Sequence, residues 1–114
     1  MNLNDFEELE KKYTQAVNAA SKITAAENGY FDYPTEINDF MGMLSKEPWV
    51  NFEYNPSDVS EILESVNTAN LIQIKTVFTG TCRGERYFNG HWKNVLETKR
   101  LDPVFERLKK IINA

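Results

Sequence analysis

The sequence predicts a mainly α fold: a single compact helical domain of five or six helices, with a short extended segment near 49–54. Three observations carry that prediction. Apolar residues recur at steps of three and four through most of the chain, which is the spacing of one face of an α-helix. Prolines and Asn or Asp residues stand just ahead of several of those runs, where helices start. Outside the runs a single stretch reads as extended, and a lone strand has nothing to pair with. At 114 residues and 41% hydrophobic side chains, the chain can bury one real core and is too short for a second domain. It divides into a long N-terminal helix over 1–27 and a compact helical body over 34–114.

The first helix has the clearest signature. Asn4 is placed to cap its free N–H groups, and Asp5, Glu7 and Glu8 set negative charge on the positive end of the helix dipole. Phe6, Leu9, Tyr13, Ala16, Ala20 and Ile23 then form a narrow apolar seam. Such a seam suits packing on another helix of the same chain, and it also suits a homodimer contact. Asn28-Gly29 ends the helix, and Tyr30, Phe31, Asp32 and Tyr33 read as an aromatic connector over a core edge.

Pro34 restarts the chain at a first helical position, and Ile37, Phe40, Met41 and Leu44 describe a short amphipathic helix that stops before Pro48. Trp49, Val50, Phe52 and Tyr54 make up the extended segment. Asn55-Pro56-Ser57-Asp58 opens the next helix, with Val59, Ile62, Leu63 and Val66 on its buried face. Residues 71–79 fit two periods. Ile72, Ile74, Thr76 and Phe78 alternate as in a strand, whereas Leu71, Ile74, Lys75, Phe78 and Cys82 share one face of a helix capped by Thr68. Helix is preferred, because a strand there would need partners. Trp92, Val95 and Leu96 mark a short helix, and Asp102-Pro103 caps a final one carrying Val104, Phe105, Leu108, Ile111 and Ile112.

Composition removes several classes of function. One cysteine, Cys82, cannot form an internal disulfide, and with one histidine it cannot complete a tetrahedral zinc site. No glycine-rich phosphate loop or dinucleotide fingerprint is present, so no cofactor is expected. The N-terminus has no basic region followed by an apolar run, and no apolar stretch approaches the roughly 20 residues that span a bilayer, so a cytoplasmic protein is expected. Net charge is −4 but unevenly spread. Residues 1–82 hold 5 Lys and Arg against 13 Asp and Glu, and residues 83–114 hold 8 against 4. A basic C-terminal third can serve an anionic partner, or can pack beside the acidic part of the same molecule or of a dimer.

The densest stretch is 83–92, where two arginines, a carboxylate, three aromatics, two glycines and the only histidine fall within ten residues. Its pattern, R-x-E-R-[FY]-x-x-G-H followed by a large apolar residue, is carried by Arg83, Glu85, Arg86, Tyr87, Gly90, His91 and Trp92, with Arg107-Leu108 further on. It resembles a family of small bacterial proteins classified only as a domain of unknown function, over residues 68–112. The resemblance implies a mostly helical fold and no particular activity.

Two physical readings of this stretch compete. Arg83 and Arg86 could clamp a small phosphate-like or nucleotide-like anion, with His91 adding a donor and Gly90 exposing backbone N–H groups at a new helix start. Alternatively Glu85 neutralises one arginine, Arg86 and His91 satisfy backbone carbonyls, and Tyr87, Phe88 and Trp92 are core aromatics. Cys82 and His91 are the only thiol and imidazole, but a cysteine on an apolar helical face reads as a small core residue. A sequence pI near 5.0 argues against nucleic acid. The expectation is therefore a non-enzymatic domain that self-associates along the seam from Phe6 to Ile23, or binds a protein near 83–92, with anion binding as the alternative.

Overall fold

The computed structural model describes residues 2–84 and 89–114. Among them are six α-helices and one two-stranded antiparallel hairpin, so the fold is mainly α as predicted. The helices are α1 (Leu3–Ala19), α2 (Thr35–Leu44), α3 (Val59–Glu64), α4 (Leu71–Gly84), α5 (His91–Glu97) and α6 (Asp102–Asn113). The strands, β1 (Thr24–Ala25) and β2 (Phe31–Asp32), pair Thr24 with Asp32 and Ala25 with Phe31.

Helix α1 begins at Leu3, and its cap is Asn2, two residues before the expected Asn4. Asn2 Oδ1 accepts from Asp5 N at 3.0 Å, and Asp5 Oδ2 accepts from Asn2 N at 3.1 Å, a reciprocal capping box. The helix also ends earlier than residue 27, giving way at Ala20–Lys22 to a 3₁₀ turn. Beyond it, β-branched Ile23 and Thr24 extend the chain into β1. Asn28-Gly29 is therefore a hairpin turn rather than a helix end. Gly29 takes φ +86, and Ala26 N donates to Tyr30 O at 2.7 Å to close the loop.

The seam on α1 is interior packing. Phe6, Leu9, Tyr13 and Ala16 are all buried within the chain, where α1 lies along α2 and touches α5 and α6. The face expected as a dimer contact is thus occupied by the protein's own helices. Ala20 and Ile23, at its end, are only partly buried. The core continues through an aromatic cluster. Tyr13 stacks on Phe105 at 4.3 Å, Phe40 meets Trp92 edge-to-face at 5.6 Å, and Phe78 joins Phe105 at 5.6 Å.

Residues 71–79 are helical. Asn70 and Gln73 exchange backbone-to-side-chain bonds, each 2.9 Å, so Asn70 and not Thr68 starts α4. Its buried threonines fold their hydroxyls back on carbonyls one turn earlier: Thr76 on Ile72, Thr79 on Lys75 and Thr81 on Val77. That bonding lets β-branched polar residues sit inside a helix.

The segment 49–54 is a run of turns, not a strand. Trp49 and Val50 are buried, but Tyr54 N donates back to Asn51 O at 3.2 Å, and Phe52 swings outward. Asn51 explains the shape. Its backbone N–H donates to Thr79 Oγ1 at 2.8 Å and its Nδ2 to Thr76 Oγ1 at 3.0 Å, clipping the loop onto α4.

Candidate functional site

Of the seven candidate residues, Glu85, Arg86 and Tyr87 lie outside the described residues, as does Phe88. The other four lie around the α4–α5 junction. Arg83, in the last turn of α4, holds its guanidinium 4.8 Å above the centre of the Tyr54 ring. The His91 ring sits against Gly84, where an added Cβ would come within 2.6 Å of it.

Gly90 and Trp92 have architectural parts. Gly90 takes φ +85, and a Cβ there would lie 2.8 Å from the Phe31 ring, so glycine satisfies both the turn and the approach of the hairpin. It opens the 7-residue helix α5. Asn89 ties the same turn to the hairpin, donating to Gly29 O at 2.7 Å and accepting from Phe31 N at 3.3 Å. Trp92 is fully buried in the core.

Cys82 lines a small cavity of about 190 Å³ with Ser45, Val50, Thr79 and Arg83, its Sγ 3.5 Å from Met41 O. Burial pushes its thiol up to about 11, against smaller opposing effects from the Ser45 hydrogen bond and the Arg83 charge. A protonated thiol is a weak nucleophile at neutral pH. Among the described residues no group of three or more His, Cys, Asp or Glu could hold a metal ion, and no helix is long and apolar enough to cross a membrane.

A broad concavity lies beside this region. A groove of about 830 Å³ runs between the loop at 50–55, α3 and the first half of α4. Phe52, Tyr54, Ile62 and Ile72 supply apolar surface, and Phe52 and Ile72 stay 66% and 67% exposed. Glu47, Glu53, Asp58 and Glu61 bring four carboxylates to it, against a single lysine, Lys75. None of these five charged groups forms an ion pair among the described residues. Tyr54 joins the groove to the candidate stretch, since its ring lines the groove and carries Arg83.

Residues 2–114 match a family of unknown function, DUF6508. The chain belongs to that family. DUF6508 spans the whole described protein, so the kinship takes in α1, the hairpin and α2 as well as residues 68–112. No curated protein and no solved structure gives a significant match.

The groove is hidden in the sequence because Phe52 reads as part of the apolar extended segment at 49–54. One signal was present. On the helical reading of 71–79, Ile72 falls off the buried face, leaving a β-branched apolar residue on the solvent side of α4.

Proposed function

We propose that the protein is a non-enzymatic protein-interaction domain whose docking surface is the groove between the 50–55 loop, α3 and α4. The observation that supports this reading most strongly is the joint exposure of Phe52 and Ile72 in one concavity. Large apolar side chains held in water at the rim of a formed groove mark sites where another surface removes them from solvent. The wall that presents Phe52 is fixed by the two Asn51 bonds to α4, so the surface is largely pre-formed. The candidate stretch contributes through Arg83, which braces Tyr54 at the groove's edge.

Photo-crosslinking tests the reading. A photoreactive residue placed at Ile72, in the organism that makes the protein, should yield a discrete adduct identifiable by mass spectrometry. The same residue at exposed Gln15 on α1 should not. Loss of the adduct on Phe52→Ser would tie it to the groove, whereas equal labelling from both positions would remove the proposal.

A further inference from the structure

The charge of the groove narrows what can occupy it. Four carboxylates and one lysine line the groove together with the exposed Phe52 and Ile72, and none of the five charged groups is neutralised by an ion pair among the described residues. A neutral or acidic partner would bring desolvation or like-charge repulsion to that rim, whereas a cationic one would be drawn to it and held in register. The exposed apolar side chains ask for a different group. Phe52 and Ile72 offer exposed apolar surface with no charge of its own, suited to an aliphatic or aromatic anchor.

From this we infer that the groove docks a lysine- or arginine-rich peptide segment of a partner protein, anchored by at least one large apolar side chain. The inference rests on the groove being a protein-docking surface, and adds the chemistry of what docks there. The segment's cations lie along Glu47, Glu53, Asp58 and Glu61, and its apolar residue covers Phe52 and Ile72. Lys75, on the α4 wall, breaks the acidic rim and sets one point where the segment carries no positive charge.

The test uses the intact isotope-labelled protein and three synthetic decapeptides, a Lys/Leu, a Ser/Leu and a Glu/Leu sequence of the same helical spacing, titrated by NMR. The Lys/Leu peptide should saturate at one per chain, with shifts confined to 50–55, α3 and the first half of α4. Asp58→Lys with Glu61→Lys should weaken it about tenfold or more, as should Phe52→Ser alone. Raising NaCl from about 50 to about 500 mM should weaken it further, while the Phe52 contribution persists. Shifts spread along the acidic outer face of α1, or affinity unchanged by the charge reversal, would overturn the assignment. Saturable, Phe52-dependent binding of the Ser/Leu or Glu/Leu peptide in preference to Lys/Leu would overturn the cationic partner yet leave the docking surface standing. Groove shifts that grow with protein concentration alone would make the occupant a second copy of the chain. Silence of the groove toward all three peptides and toward protein concentration would defeat both readings.

Discussion

The Tyr13 hydroxyl donates to Asp102 Oδ1 at 2.5 Å, joining the middle of α1 to the first residue of α6 across 89 positions of sequence. Asp102 was expected to cap its own helix. Its carboxylate instead receives a phenol from the other end of the chain, while the Tyr13 ring stacks on Phe105 one turn further along α6. The two ends of the protein are thereby fastened by one polar and one aromatic contact on the same pair of helices.

Tyr13→Phe keeps the stacked ring and removes only the hydroxyl, so it should cost about 1–3 kcal/mol, the range for a hydrogen bond to a charged group. Asp102→Asn should cost less, because an amide oxygen can still accept. Tyr13→Ala, which also opens a cavity beside Phe40 and Phe105, should cost roughly 3–5 kcal/mol. Urea unfolding of the three variants measures the order. Equal losses for Tyr13→Phe and Tyr13→Ala would show that the ring contributes nothing.

Alkaline stability follows from the same pair. Burial first, then the Asp102 hydrogen bond and charge, hold the Tyr13 phenol well above its ordinary 10.0. An unfolded tyrosine loses its proton near that ordinary value while the folded one keeps it. The unfolded state therefore binds fewer protons above pH 10, and stability, fully present below, falls as pH rises. Cys82 acts in the same direction, between its ordinary 9.0 and about 11. Melting temperatures from about pH 8 to about pH 11 should decline above pH 9, and Tyr13→Phe should flatten the part of the decline above pH 10. A decline identical in Tyr13→Phe would assign it to other groups.

Gly90 and Gly29 provide an internal comparison, since both hold positive φ, +85 and +86. An added Cβ at Gly29 meets open space, but at Gly90 it meets the Phe31 ring. Gly29→Ala should cost about 1–2 kcal/mol for the left-handed backbone alone, and Gly90→Ala should cost more. Placing Gly90→Ala in a Phe31→Ala background should bring the increment back to that of Gly29. Thermal unfolding of the four variants separates the backbone cost from the clash.

What the sequence showed and what it hid divide along physical lines. The helices were legible because their burial repeats at three and four and because asparagines and prolines mark their starts. Even the ambiguous 71–79 resolved to helix by the absence of a strand partner, and Asn70 with Gln73 confirms a capped start nearby. The hairpin was not legible, since strands of two residues carry no alternation and Asn28-Gly29 serves a helix end as well as a turn. The segment 49–54 misled because Trp49, Val50, Phe52 and Tyr54 carry the composition of a strand. Its actual path depends on Asn51 finding two threonine hydroxyls 25 and 28 residues away, a tertiary fact with no local trace. The conspicuous 83–92 stretch was legible as special, but Gly90 and Trp92 in it serve the packing of α5 on the hairpin and core.

Asn51 therefore links the fold to the proposed docking surface, and Asn51→Ala separates the two. The substitution keeps the backbone bond to Thr79 and deletes the side-chain bond to Thr76, whose hydroxyl remains bonded to Ile72 O. It also removes the Asn51 Oδ1 acceptor for Glu53 N, the bond that turns the loop outward. Stability should fall by only about 1–2 kcal/mol, since each lost bond is modest and the loop is solvent-facing. Local opening should respond more strongly. Amide exchange at 52–54 should quicken well beyond the change in global stability, while α1 and α6 exchange as before. Uniform acceleration across the chain would instead place Asn51 in the global unfolding unit and remove the argument that it pre-forms the groove.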